Sequence, residues 1–197
     1  MSALFYHHKT NGDVLFLVIE PEAYPDKVVA HGDVIALYKE DRLVGVNFRD
    51  IGKVVKIHAS GLLLPVDDRL VDVLNALLGN AGLSPLPYFR SSGYRVAEVK
   101  RIEEHPLDES KRILTLACGE QTLNTVTRYR NFGLGDHLVV ATDGTIRFDG
   151  TRFRSRVERN IPIEAEVCSP LDLRAGEEGT LAYLAPERKP GSDFYIG

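Results

Sequence analysis

Seven arginines fall between positions 128 and 159, at 128, 130, 147, 152, 154, 156 and 159, with Tyr129 among them. Guanidinium groups grip phosphate oxygens as planar forks of donors, and a tyrosine ring offers a face on which an unpaired base stacks. Arg152, Arg154 and Arg156 share one face if that segment is extended, because alternate strand positions point the same way. The competing reading is a solvated strand face with Asp149 and Glu158 as counterions. The other reactive residue types offer less. His7 and His8 are adjacent and face opposite sides of a strand, and His31, His58, His105 and His137 have no ligand spacing with each other or with cysteine. Cys118 and Cys168 each lie in a strand-like run, where a reduced, buried thiol is the common state. The carboxylate pairs Asp67-Asp68, Glu103-Glu104 and Glu177-Glu178 are adjacent rather than convergent, and no phosphate-binding loop, nucleophile elbow or zinc-protease motif occurs. The expectation is a binding protein, not an enzyme, with no metal and no cofactor.

Charge is distributed unevenly. Over the 197 residues the formal balance is -4, but residues 1–89 carry 8 basic and 11 acidic side chains, residues 90–160 carry 13 and 10, and residues 161–197 carry 3 and 7. Positive charge is therefore concentrated around the arginine cluster. A local excess is what a phosphate-tracking groove requires, since Lys and Arg that displace condensed counterions supply most sequence-independent affinity. No apolar run approaches the length needed to span a bilayer, and the N-terminus lacks a basic stretch followed by an apolar one, so the expected location is cytoplasmic.

The elements that must position these residues follow from periodicity. Residues 4–8, 14–20, 33–38, 42–48 and 54–58 read as short strands separated by Asn-Gly-Asp, His-Gly-Asp and Glu-Asp turn signals, with Lys39-Glu40-Asp41 short enough for a hairpin. Leu70, Val73, Leu74, Leu77, Leu78 and Ala81 then fall at helical spacing, with Asp67 or Asp68 as N-cap and Gly79 or Gly82 as terminator. Ser84-Pro85-Leu86-Pro87 stops the helix, and Ser91-Ser92-Gly93 continues the break. Strand patterning resumes at 94–104, 113–118, 122–127, 137–142, 145–148, 163–168 and 180–184. Five such strands suffice for a Greek-key barrel. The predicted class is α+β, mainly β: a small α/β domain over 1–88, a linker over 89–93, an oligonucleotide-binding (OB) type barrel over 94–186, and a frayed tail over 187–197.

The second half resembles the OB-fold tRNA-binding module of phenylalanyl-tRNA synthetase beta chains and free-standing tRNA-binding proteins. The likeness rests on Glu104-His105-Pro106 ending the first strand, on Lys111-Arg112-Ile113-Leu114, on Gly135-Asp136-His137-Leu138-Val139-Val140-Ala141 and on Cys168-Ser169. The family's Gly-Ala-Pro-Asn falls on Arg128-Tyr129-Arg130-Asn131, and its Leu-Arg-Gly on Phe153-Arg154-Ser155. Ala165 and Glu166 stand where the family has Gly-Met. The first half, through Phe5-Tyr6, Gly12-Asp13-Val14-Leu15, His31-Gly32-Asp33-Val34, Val44 to Phe48 and Asn75-Ala76-Leu77, is similar to the domain that precedes this module in YtpR-type proteins. Together the resemblance and the arginine cluster imply binding of tRNA or another structured RNA through Lys111, Arg128, Tyr129, Arg130, Asn131, Arg152, Arg154, Arg156 and Ser169. They also imply an aminoacyl-tRNA synthetase as a partner and a homodimer, with no membrane contact. The alternative is a diverged barrel that acts as a protein-interaction or dimerisation module without RNA.

Overall fold

The computed structural model describes residues 2–195 and divides into two compact units, one up to Arg90 and one from Ser91 onward. The protein is mainly β in both.

In the first unit, strands β1 (Ala3–Tyr6), β2 (Val14–Val18), β3 (Lys27–His31), β4 (Val34–Lys39), β5 (Arg42–Arg49) and β6 (Gly61–Leu62) form one antiparallel sheet in the order β3-β4-β5-β2-β1-β6. A single helical turn, α1 (His8–Asn11), joins β1 to β2. Helix α2 (Asp68–Asn80) buries Leu70, Val71, Leu74 and Leu78, and packs against Leu4, Leu15, Leu17, Val46 and Phe48 of the sheet. Asp67 caps the helix by accepting a hydrogen bond from the Arg69 amide at 2.9 Å. Gly82, at φ +70°, ends it in a left-handed turn in which the Leu83 amide reaches back to the Leu78 carbonyl at 2.9 Å.

Residues 54–58, expected as a strand, are irregular and follow a 3-10 turn at Ile51–Lys53; Val55 and Ile57 pack on the core without joining the ladder. The Pro-rich stretch is not a free linker either. Leu86 is held on α2 by both amide atoms of Asn75, at 2.7 and 3.0 Å, Tyr88 donates to Asp72 and Arg90 pairs with Asp68.

The second unit contains β7 (Tyr94–Glu104), β8 (Arg112–Cys118), β9 (Gln121–Thr127), β10 (His137–Thr142), β11 (Arg156–Glu158), β12 (Ile161–Ile163) and β13 (Ala165–Val167). The five-stranded sheet runs β13-β10-β7-β8-β9. Its ends nearly meet: the Glu164 amide donates to the Asn124 carbonyl at 2.8 Å, the Thr125 hydroxyl donates to the Ala165 carbonyl at 2.5 Å, and Asn124 also donates to the Glu164 carboxylate. The result is a nearly closed, OB-like barrel. Strand β7 serves both flanks, pairing with β10 through its first half and β8 through its second, with a register shift between Val99 and Arg101 that bends it. Ala97, Val99, Leu114, Leu116, Leu138, Val140, Ala165 and Val167 fill the interior.

Two expectations are corrected at the margins of the barrel. Ser91–Gly93, expected within the linker, belongs to it: the Gly93 carbonyl accepts from the Thr142 amide and from the hydroxyls of Thr142 and Thr145. The tail expected to fray over 187–197 is paired as far as it is described. The Val96 amide donates to the Ser192 carbonyl, the Gly191 amide to the Val96 carbonyl and the Phe194 amide to the Tyr94 carbonyl, and Phe194 is buried. Residues 196 and 197 lie outside the described residues. Runs 145–148 and 180–184 form only the single bridges Ile146 to Arg152 and Leu138 to Leu184.

Candidate nucleic-acid interface

Because the barrel interior is filled, chemistry is left to its outer strand faces and loops. The β7–β8 loop, strand β9 and the β11–β12 hairpin enclose a groove. His105, Leu107, Asp108 and Lys111 line one wall, Val126 its floor, and Glu158, Arg159, Ile161 and Ile163 the other wall. The groove continues past Lys111 and Val126 into a hollow bounded by Thr127, Arg128, Phe153, Arg156 and Glu166. In five-stranded barrels of this topology, these loops and this strand face are where extended ligands dock.

The hairpin that forms the second wall turns tightly at Arg159-Asn160, both at positive φ (50° and 66°). Two-residue hairpins need this backbone, and Asn suits it, but an arginine in the left-handed region costs about 1–2 kcal/mol. The turn nevertheless puts Arg159 on the groove wall, where it makes no ion pair among the described residues. Arg128 and Arg154 are likewise exposed and make no ion pair among the described residues. Leu107, on the β7–β8 loop, is an apolar side chain of the groove wall at 67% exposure, and Val157, in the middle of β11, is 69% exposed outside the groove lining.

Other cations of the cluster are tied down. Lys111 pairs with Asp108 at 3.0 Å, Arg156 with Glu158 at 2.5 Å, and Arg147 with Glu166 at 2.6 Å. Arg130 is held by the Glu104 carboxylate at 3.3 Å and donates to the Glu109 carbonyl at 2.6 Å, while Arg112 takes the other side of Glu104. The Ser110 hydroxyl and Lys111 hold the Asp108 carboxyl far below the usual carboxylate range, and Arg130 and Arg112 lower that of Glu104. The groove is thus lined by Lys111, Arg128, Arg156 and Arg159 with Asp108, Glu158 and Glu166 between them.

Of the residues expected to bind RNA, Lys111, Arg128 and Arg156 meet in the groove, Arg154 lies exposed on the approach to β11, and Arg130 sits on the β7–β8 side. Arg152, Arg154 and Arg156 do not share one continuous strand. Arg152 bridges to Ile146 with its Nε withdrawn from solvent, whereas Arg156 opens β11. Phe153 between them is buried, with the guanidiniums of Arg147 and Arg156 5.7 and 6.0 Å from its ring centre.

Three residues have structural partners instead of an open face. Tyr129 packs on the core, and burial raises its hydroxyl pKa. Asn131 clamps the Ala182 backbone, donating to its carbonyl at 2.9 Å and accepting from its amide at 2.8 Å. Ser169 is buried, its hydroxyl and amide both donating to Asp172. These contacts position the C-terminal segment. Exposed Leu107 and Val157 are not signalled by the sequence, because one lies in a loop and the other in a three-residue strand, too short to show alternation.

Burial pushes the thiols of Cys118 and Cys168 up, so both stay protonated in the core. Among the described residues no group of three or more His, Cys, Asp or Glu gathers as a metal site, and no helix is long and apolar enough to cross a membrane. No family model matches the chain, and no curated protein matches it at a significant level.

Proposed function

We propose that this is an RNA-binding protein of the YtpR type that takes tRNA or another structured RNA along the barrel groove, by backbone contacts and shape. The observation that carries the reading is the trio Arg128, Arg154 and Arg159, none of them ion-paired among the described residues, with Arg159 held at a left-handed turn on the groove wall. Cations with no ion pair are free to replace the counterions of a phosphate backbone, and Leu107 on the groove wall can pack against exposed sugars or bases. The cytoplasm and an aminoacyl-tRNA synthetase partner belong to the same proposal.

Anisotropy titration of labelled bulk tRNA at several salt concentrations tests it. The expected result is binding at low ionic strength that weakens steeply with salt; absence of salt-sensitive binding would remove the reading. A second reading, a groove for a protein segment of mixed charge, is favoured by Asp108, Glu158 and Glu166. The double variant Asp108→Asn, Glu158→Gln separates the two, because it strengthens binding to a polyanion and weakens binding to a partner that supplies cations.

A further inference from the structure

The C-terminal segment builds a second hollow, lined by Tyr183, Phe194, Tyr195, Arg174, Arg188 and Glu187 among others. We propose that this hollow is a nucleotide pocket, which takes one unstacked base together with its 5′-phosphate. Aromatic walls and guanidinium groups in one concavity match the two parts of such a ligand: a flat, apolar ring system and a doubly charged anion.

Four of the contributing residues, Arg174, Arg188, Tyr183 and Phe194, have backbone anchors. Arg174 sits at φ +56°, in a turn where the Leu173 amide reaches the Ser169 carbonyl and the Ala175 amide the Pro170 carbonyl. The carbonyl of Arg188 hydrogen-bonds His137 Nδ1 at 2.9 Å, and its amide donates to the Ala185 carbonyl. Tyr183 pairs with Val139 and Cys168 through its backbone. Phe194 is fixed by Tyr94 and meets Tyr183 edge-to-face at 5.3 Å. A backbone fixed in this way and a packed aromatic pair lower the ordering cost when a ligand arrives.

Charge supports the same ligand. Neither Arg174 nor Arg188 makes an ion pair among the described residues, although the last 37 positions, 161–197, carry 7 acidic side chains. One carboxylate, Glu187, lies in the lining. Two cations against one anion leave room for a phosphate. The pocket stands apart from the groove reading, since it shares no lining residue with the groove.

The test is calorimetric titration of the full chain with adenosine 5′-monophosphate, adenosine and inorganic phosphate, and with short RNA bearing a 5′-phosphate or a 5′-hydroxyl. The expected order is monophosphate tighter than adenosine or phosphate alone, with Arg188→Ala and Tyr195→Ala each weakening it about tenfold. Arg174→Gly, which suits the left-handed backbone, should do the same. Arg128→Ala should leave nucleotide binding unchanged, which keeps a failure here distinct from a failure of the groove. If 5′-phosphorylated RNA binds as tightly as the free nucleotide, a strand end is the source; if only the mononucleotide binds, the source is a free metabolite. Phosphate binding as tightly as the nucleotide would overturn the proposal in favour of a plain anion site. No binding at millimolar nucleotide, or binding indifferent to all three pocket variants, would also overturn it.

Discussion

Two hairpins of this protein turn through the same strained backbone, one in each unit. At the β4–β5 turn Glu40 and Asp41 have φ of 50° and 64°; at the β11–β12 turn Arg159 and Asn160 have 50° and 66°. The first is tied into its own unit. Asp26 accepts from the Glu40 amide at 3.3 Å and pairs with Lys39, and Asp41 pairs with Lys27. Among the described residues, the second has no ion pair to Arg159 and opens onto a groove. The backbone is the same in both turns, but the Asp41 charge is met by Lys27 within the sheet, whereas the Arg159 guanidinium faces the groove without an ion pair among the described residues.

The architectures explain why the groove lies in the barrel. In the sheet, α2 covers one face and its apolar residues become core; in the barrel the interior is filled, so strand faces and loops outside it are free to carry charge.

The largest effects expected concern the two cores. Leu74→Ala in the sheet unit and Leu116→Ala in the barrel, both fully buried, should each lower the unfolding free energy by about 2–5 kcal/mol in denaturant titrations. A loss under about 1 kcal/mol for either would place that core elsewhere. The next effect lies in the tail. A Cβ on Gly191, at φ +87°, would stand 2.5 Å from the Gly119 Cα, so Gly191→Ala should destabilise the barrel by roughly 2–3 kcal/mol. Gly150→Ala, at the same φ but in open space, should cost only about 1 kcal/mol.

The hairpins themselves give the sharper contrast. Glu40→Gly and Arg159→Gly should each relieve strain and gain about 1 kcal/mol in thermal unfolding, but only Arg159→Gly should weaken RNA binding. Equal effects on binding would mean that the two turns do not differ in their access to RNA.

The smallest effect is electrostatic. The Asp108 carboxyl is depressed by Ser110 and Lys111, so its contribution to the β7–β8 loop is complete above the ordinary Asp range and is lost as pH falls through the lower folded value. Its carboxyl resonance should titrate well below the usual carboxylate midpoint, and Ser110→Ala should move that midpoint up.

Much of this arrangement is legible in the sequence. Strands β7 and β10 match their expected ranges, 94–104 and 137–142, and the helix follows from spacing, with the cap narrowed to Asp67 or Asp68 and the terminator to Gly79 or Gly82; the fold selects Asp67 and Gly82. Strand β3 is not legible, because as an edge strand it is exposed on both faces and shows no alternation. The apolar spacing of Val55 and Ile57 comes from packing in an irregular segment, which periodicity cannot tell from a ladder. At the site, the positive cluster follows from composition, but its neutralisation does not. Glu104 reaches Arg130 across 26 residues, and Asn131 reaches Ala182 across 51, distances at which only the folded barrel brings the partners together.

On the proposed reading, Arg128, Arg154 and Arg159 hold phosphates. The most direct measurement is the salt dependence of tRNA affinity for the wild-type protein and for the triple variant Arg128→Ala, Arg154→Ala, Arg159→Gly. Three lost contacts should shrink the log-log slope by about 2–3, at roughly 0.7–0.9 per neutralised phosphate. An unchanged slope would contradict the account.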